Sequence, residues 1–258
     1  MISRNRDVVL VSLFRAFPYS ARNKLVLLAL ELVGVVSGLR TATLIDTLLL
    51  SESDARILAD TLNELDKTLL VVYESVSGQT LVLSRNLLER RSARPPVFVE
   101  VAGATPKIIP NCSPAFIALL SQITSTLSSS SAFLLLSLPD PERPQELVPL
   151  VGHLLDYRVA YTLEGEAGRG FTGTNCLGGR ELVLVEVSAV DDQGETLRLF
   201  SFSYPACLVE SEPTLDRSAV VQELEREYGR RTEEVEREQG RVRIEVETRL
   251  VELDRVAL

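Results

Sequence analysis

The chain has no tryptophan, and only 5% of its residues are aromatic. Its core must therefore be aliphatic, built from Leu, Val and Ile. There is one histidine, His153, and no C-x-x-C pair, which argues against a tetrahedral zinc site. Three cysteines, Cys112, Cys176 and Cys207, are an odd number without paired spacing, so no disulfide framework is expected. The segment Met1 to Asp7 is charged and lacks the apolar stretch of a secretory signal. Together these point to a reducing, intracellular and cytoplasmic setting. The apolar run Leu25 to Val36 contains Glu31 and falls short of the roughly 20 residues a bilayer requires. It reads as a buried helix, and no membrane association is expected. No P-loop, no G-x-S-x-G elbow and no internal repeat occurs.

Positive charge is also scarce. Lys and Arg number 27 against 36 Asp and Glu, a net charge of −9. A nucleic-acid binder needs a basic face to displace counterions, so that class is excluded. The one basic cluster is Arg85, Arg90, Arg91 and Arg94, which reads as cations near helix-terminal carbonyls rather than an anion site.

What remains is ordinary for a globular protein: 258 residues, 45% hydrophobic and 24% charged. Such a length buries roughly three-quarters of its unfolded surface. The proline-rich break around Glu142 to Gln145 is too short for a linker, so residues 1–258 are expected to form a single globular domain.

Apolar spacing predicts a helix over Asp7 to Phe17 and another over Ser20 to Ser37, capped by Ser20 and stopped by Gly38. Thr41 to Asp46 reads as a short strand. Ser51 with Asp54 fits a capping box before a helix. Thr68 to Tyr73 and Thr80 to Leu83 read as a hairpin, Leu87-Leu88 as a short helix, and Val97 to Val101 as a strand. Ser113-Pro114 starts a helix that the serine run 128–131 ends. That run reads as a linker; whether it is modified is left open. Phe133 to Leu138 is expected to be a buried strand. Thr214 or Asp216 begins a long charged helix to about Gln239, followed by an alternating strand from Val242 to Leu250 at a sheet edge. The fold class expected is mixed α/β, with helices packed on a mixed, partly antiparallel sheet.

The richest stretch is Leu150 to Cys207. His153 lies in an apolar helical segment, and Tyr157 to Thr162 is strand-like. The runs Glu181–Val187 and Thr196–Ser203 flank Asp191-Asp192-Gln193-Gly194, which favours an antiparallel hairpin. Gly168 to Gly173 matches G-x-G-x-x-G, but a strand rather than a helix follows. No nucleotide site or cofactor is therefore expected, and the loop reads as a hairpin connection. Paired with Asp156 or Cys176, His153 would be a general base, yet a packed histidine explains its context equally simply. Cys176 would be a nucleophile only beside a cation; a thiol anchoring a loop to the core is the plainer reading. Asp46 ends a strand, where sites gather in α/β folds and where turn carboxylates are common.

Several stretches resemble an uncharacterised animal protein family. These are Leu28 to Asp46, including Leu30-Glu31-Leu32, Ser37-Gly38-Leu39-Arg40 and Leu44-Ile45-Asp46; then Leu154 to Tyr161; Asn175-Cys176-Leu177; and Leu199 to Pro205. The family is the one containing the human protein named for chromosome 1 open reading frame seventy-four. The resemblance implies a soluble protein of unknown function, with no catalytic residues or cofactor to carry over. The loop Gly165 to Thr174 reads as an insertion relative to it.

The sequence therefore favours a non-enzymatic interaction or scaffold protein, with a partner surface on the charged helix 214–239. The alternative is a small-molecule-binding protein or degenerate enzyme with a site around His153, Asp156, Tyr157 and Cys176.

Overall fold

The computed structural model describes residues 1–90, 95–163, 175–254 and 256, with residues 237–239 described in backbone only. The helices are α1 (Ile2–Ala16), α2 (Arg22–Val36), α3 (Glu52–Leu65), α4 (Arg85–Glu89), α5 (Pro114–Leu127), α6 (Leu147–Leu154) and α7 (Arg217–Gln239). The strands are β1 (Ala42–Leu44), β2 (Leu69–Glu74), β3 (Thr80–Ser84), β4 (Val97–Glu100), β5 (Lys107–Ile109), β6 (Phe133–Leu136), β7 (Val159–Thr162), β8 (Glu181–Asp191), β9 (Thr196–Pro205) and β10 (Val242–Glu252).

The class is mixed α/β, as the sequence predicts, but the strands divide among three sheets. The first has the order β1-β3-β2-β6, with β6 parallel to β2 and the other pairs antiparallel. β2 and β3 are buried along their whole length. Side chains of a strand point alternately to opposite faces. Leu69, Val71, Tyr73 and Val82 accordingly pack with α1, α2 and α3, while Leu70, Val72, Leu81 and Leu83 pack with α5 and α6. Helices thus cover both faces, which is why these runs are continuously apolar. Each fully buried Leu or Val contributes about 1.5–3 kcal/mol.

The second sheet, β10-β8-β9, is fully antiparallel, and α7 packs on it through Val220, Leu224, Tyr228 and Val235. The expected hairpin is present: β8 and β9 pair across the Asp191 turn, where Gly194 takes a φ of 79°. Asp191 Oδ1 accepts from the amides of Gln193 and Glu195, closing that turn. β10 lies at the sheet edge with alternating exposed charges, as its sequence pattern predicts. The third sheet, β5-β4-β7, joins β4 and β7 in parallel.

Local capping signals hold where they are short-range. Ser51 and Asp54 form the capping box of α3, and Ser113 caps α5. Ser20 does not cap α2: Ala21 occupies the N-cap position and no side chain bonds there. β6 is not buried as expected. It is an edge strand paired only with β2, so Leu135 is 39% exposed while Leu136 is fully buried. β5 was not anticipated. Arg85 is buried and donates to the carbonyls of Thr126, Leu127 and Ser131, satisfying the C-terminal end of α5. Arg90 pairs with Glu234 at 3.1 Å. Arg91, Arg94 and the Gly168 to Gly173 motif lie outside the described residues. No helix among the described residues is long and apolar enough to cross a membrane.

Candidate functional site: a cleft between α2 and β9

The site begins with the end of α2. Gly38 adopts a φ of 71°, a left-handed conformation that glycine reaches without a Cβ penalty. The Gly38 amide donates to Val35 O, and the Leu39 amide to Gly34 O, both at 3.0 Å. This pair of bonds is the Schellman ending of a helix. It folds the chain back so that the Arg40 amide also reaches Gly34 O. A Cβ placed on Gly34 would lie 3.6 Å from Arg40 Cβ and 3.5 Å from Leu199 Cδ2. Both are ordinary van der Waals distances, so helix, arginine and β9 pack against one another here without requiring the glycine.

Between α2 and β9 this leaves a cleft of about 690 Å³. Leu27, Leu30, Glu31 and Gly34 come from α2, Thr196 to Leu199 from β9, and Arg40 and Thr47 from the segments around β1. Leu27 and Leu30, one helical turn apart, are 49% and 38% exposed. A helix that is apolar nearly all round thus leaves one apolar stripe open, and that stripe is a wall of the cleft.

Beneath the lining lie polar groups that are incompletely satisfied. Arg40 Nη1 donates to Thr43 Oγ1 at 3.3 Å, but its Nε has no partner among the described residues. Burial lowers the Arg40 pKa, opposed by the fields of Tyr157, Tyr228, Asp156 and Glu31. Glu31 Oε1 accepts from the Asp46 amide at 3.4 Å, whereas Oε2 has no partner. Burial raises the Glu31 pKa, opposed by the approach of the Thr47 hydroxyl and of the Asp46 and Thr47 amides. Asp46 is also pushed up by desolvation and pulled down by Arg40. At the rim Arg198 bonds Ser201 Oγ and faces Glu186 at 3.5 Å.

Behind Arg40 lies a buried charge cluster. Asp156 follows α6 with a φ of 64°, which Asp tolerates better than most residues. Its Oδ2 accepts from Tyr228 Oη and Arg231 Nη1, both at 2.9 Å, and from the Thr41 amide at 3.4 Å. Arg231 also bonds Glu227 at 2.7 Å and lies over the Tyr228 ring, 4.4 Å from its centroid. Desolvation opposes the Arg231 charge, but Asp156, Tyr228 and Glu227 together raise its pKa. The Tyr228 hydroxyl is pushed well up by burial and by Asp156.

The other expected site residues are distributed. Tyr157 stacks on Phe202 at 5.4 Å and is electrostatically coupled to Arg40. His153 is half-buried and packs edge-on, at 5.5 Å, against Phe116, which belongs to the core between the first sheet and α5. Cys176 packs instead against the second-sheet core; its amide donates to Val101 O and its carbonyl accepts from Arg180 Nε. Burial pushes its thiol up despite Arg180. Asn175 Oδ1 accepts from the Leu177 amide, the tight turn its side chain favours, and Leu177 is fully buried. Asp156 and Tyr157 thus join Arg40, while His153 and Cys176 sit in different cores. Sequence reading missed Arg40, Thr47 and Arg198 as site residues. Its one available signal was Glu31, a carboxylate inside an otherwise apolar helix.

Among the described residues no group of three or more His, Cys, Asp and Glu is placed to hold a metal. A family model described as a domain of unknown function, DUF4504, matches residues 19–257. No curated protein and no solved structure matches the chain.

Proposed function

The chain belongs to the DUF4504 family, and we propose that it is a non-enzymatic binding protein that holds a small polar molecule in the cleft between α2 and β9. One observation carries this reading: a cleft of about 690 Å³ opens between α2 and β9, with the exposed Leu27 and Leu30 on one wall and Glu31, Arg40, Thr47 and Arg198 among its lining residues. Apolar walls with a few charged and hydroxyl groups among them are the usual make-up of a small-molecule site. The cleft volume also falls in the range of small-molecule sites. The Asp156 oxygen shared by three donors supports a structural part for that carboxylate, and so disfavours an enzyme built on His153, Asp156, Tyr157 and Cys176.

The test is a thermal-shift screen of small metabolites on the full chain, repeated with Leu30→Trp. The tryptophan adds bulk to the cleft wall from an exposed position. A ligand at 100 times its Kd stabilises by about 2.7 kcal/mol, which the Trp variant must abolish. Stabilisation that survives in Leu30→Trp, or none across the screen, rejects the reading.

A second reading is a scaffold role through α7. Its solvent face presents Glu225, Arg226, Arg230, Glu233 and Glu234 on a long rigid element. Pull-down of a partner lost on charge reversal at Arg226 and Arg230 favours it. We further read the DUF4504 family as the animal family containing the human chromosome 1 open reading frame seventy-four protein, on the order of the resembling stretches. One domain over residues 1–258 and a cytoplasmic setting accompany this reading, supported by interlocking cores and three free cysteines.

A further inference from the structure

We infer that the ligand of this cleft is a short extended peptide, held as an added strand on the free edge of β9 with apolar side chains against α2. This rests on the cleft reading above and names its ligand. β9 is an edge strand: among the described residues it pairs with β8 and with no other strand. Edge strands present unpaired backbone groups that template the addition of another chain. Four consecutive residues of β9, Thr196, Leu197, Arg198 and Leu199, line the cleft. Neighbouring side chains of a strand point to opposite faces, so a cleft that meets all four meets the strand along its edge.

The hairpin decides which backbone groups face that edge. The Asp191 amide donates to Glu195 O at 2.9 Å, which makes these two a hydrogen-bonded pair. Bonded and non-bonded pairs alternate along an antiparallel ladder. Leu197 therefore bonds toward Ala189, while Thr196 and Arg198 turn both N–H and C=O away from β8. Ser188 pairs with Arg198 but Val187 with Phe200, so Leu199 is a bulge. Past this extra residue the outward set resumes at Ser201 and Ser203. Ser203 O accordingly accepts from Tyr161 Oη, a donor outside the sheet, at 2.7 Å. Among the described residues no group takes up the outward N–H or C=O of Thr196 or Arg198. These two sets of donor and acceptor stand about 7 Å apart, the repeat at which an extended peptide presents its own. The bulge interrupts the row, so the added strand pairs over about three residues. In this mode of recognition the backbone supplies affinity and side-chain contacts supply selectivity. Leu27 and Leu30, 49% and 38% exposed on the α2 wall, give those contacts an apolar character.

The test adds a library of tetrapeptides, acetylated and amidated at their ends and varied at each position, to the thermal-shift screen of the full chain. At least one apolar peptide is expected to raise the unfolding midpoint saturably in wild type and not in Leu30→Trp. That peptide is then remade with one backbone N-methyl at a time. Methylation at alternate residues should weaken binding about tenfold, as a desolvated partner left unpaired requires, and methylation between them should change little. On the chain, Thr196→Pro deletes an N–H that points away from β8, a substitution an edge strand tolerates. It should keep the fold and weaken the peptide about tenfold. If Thr196→Pro fails to fold, amide exchange in wild type replaces it: saturating peptide should slow the Thr196 and Arg198 amides about tenfold or more, and the Leu197 amide far less. Binding that Leu30→Trp abolishes but no N-methyl weakens overturns the strand assignment while the cleft reading stands. Peptide binding that survives Leu30→Trp overturns both. A library without a hit overturns the peptide assignment, and the metabolites of the same screen then decide the cleft reading alone.

Discussion

Asp156 and Arg231 form an ion pair at 2.9 Å whose side chains are 2% and 8% exposed, joining residues 75 apart in sequence. It ties the turn after α6 to the middle of α7. Through the Thr41 amide it also fixes the start of β1, one residue from Arg40. A charge pair this buried does not stabilise strongly in net terms, because desolvation offsets much of the attraction. Removing Asp156 is another matter: the buried Arg231 keeps only Glu227 as its ion-pair partner, and Tyr228 Oη and the Thr41 amide lose their charged acceptor.

Asp156→Asn keeps a residue that tolerates the left-handed backbone but removes the charge. It should cost about 3–5 kcal/mol in urea unfolding. Pairing it with Arg231→Met should recover part of that loss, since the buried Arg231 charge is then gone and only the partly exposed Glu227 loses its partner. A cost below about 1 kcal/mol for Asp156→Asn contradicts the structural role assigned to the pair.

Glu31 makes a pH prediction. Burial raises its folded-state pKa above the ordinary value of 4.5, and Asp46 shifts in the same direction. The folded protein therefore binds protons more readily than the unfolded chain. Glu31 contributes most to stability below pH 4.5, and that contribution is lost as pH rises through its folded pKa. Glu31→Gln should flatten the decline above that point and leave the protein no less stable at neutral pH. The measurement is the unfolding free energy of both proteins across the pH range. A variant whose pH dependence is indistinguishable from wild type removes Glu31 from the desolvated floor.

How much of this was legible in the sequence depended on range. The Ser51–Asp54 box, the Ser113 cap, the Gly38 stop and the Asp191 turn are decided within four or five residues, and all are present. Ser20 misled because a capping hydroxyl one position early resembles a cap in place. Phe133 to Leu136 is apolar enough for a central strand, but its edge position is set by which strands pair with it. Arg40 was invisible as a site residue: nothing local distinguishes an arginine folded over Gly34 from one in water. Asp156 was legible as a polar residue among apolar neighbours, but its partners on α7 were not, being more than 70 residues away.

The cysteines differ in environment. Cys207 is exposed, whereas Cys176 is half-buried and its thiol is pushed up by burial. Thiolate fraction and access together set alkylation rate. Iodoacetamide should therefore modify Cys207 before Cys176 in the native protein, and Cys176→Ser should cost on the order of 1 kcal/mol. Selective labelling of Cys176, slowed by His153→Ala, instead revives a nucleophilic role.

The cleft claim is tested most directly by running the thermal-shift screen of small metabolites on wild type and Leu30→Trp side by side. The account predicts at least one metabolite that raises the unfolding midpoint of wild type saturably and leaves Leu30→Trp unmoved. Stabilisation that persists in Leu30→Trp, or a silent screen, contradicts the account.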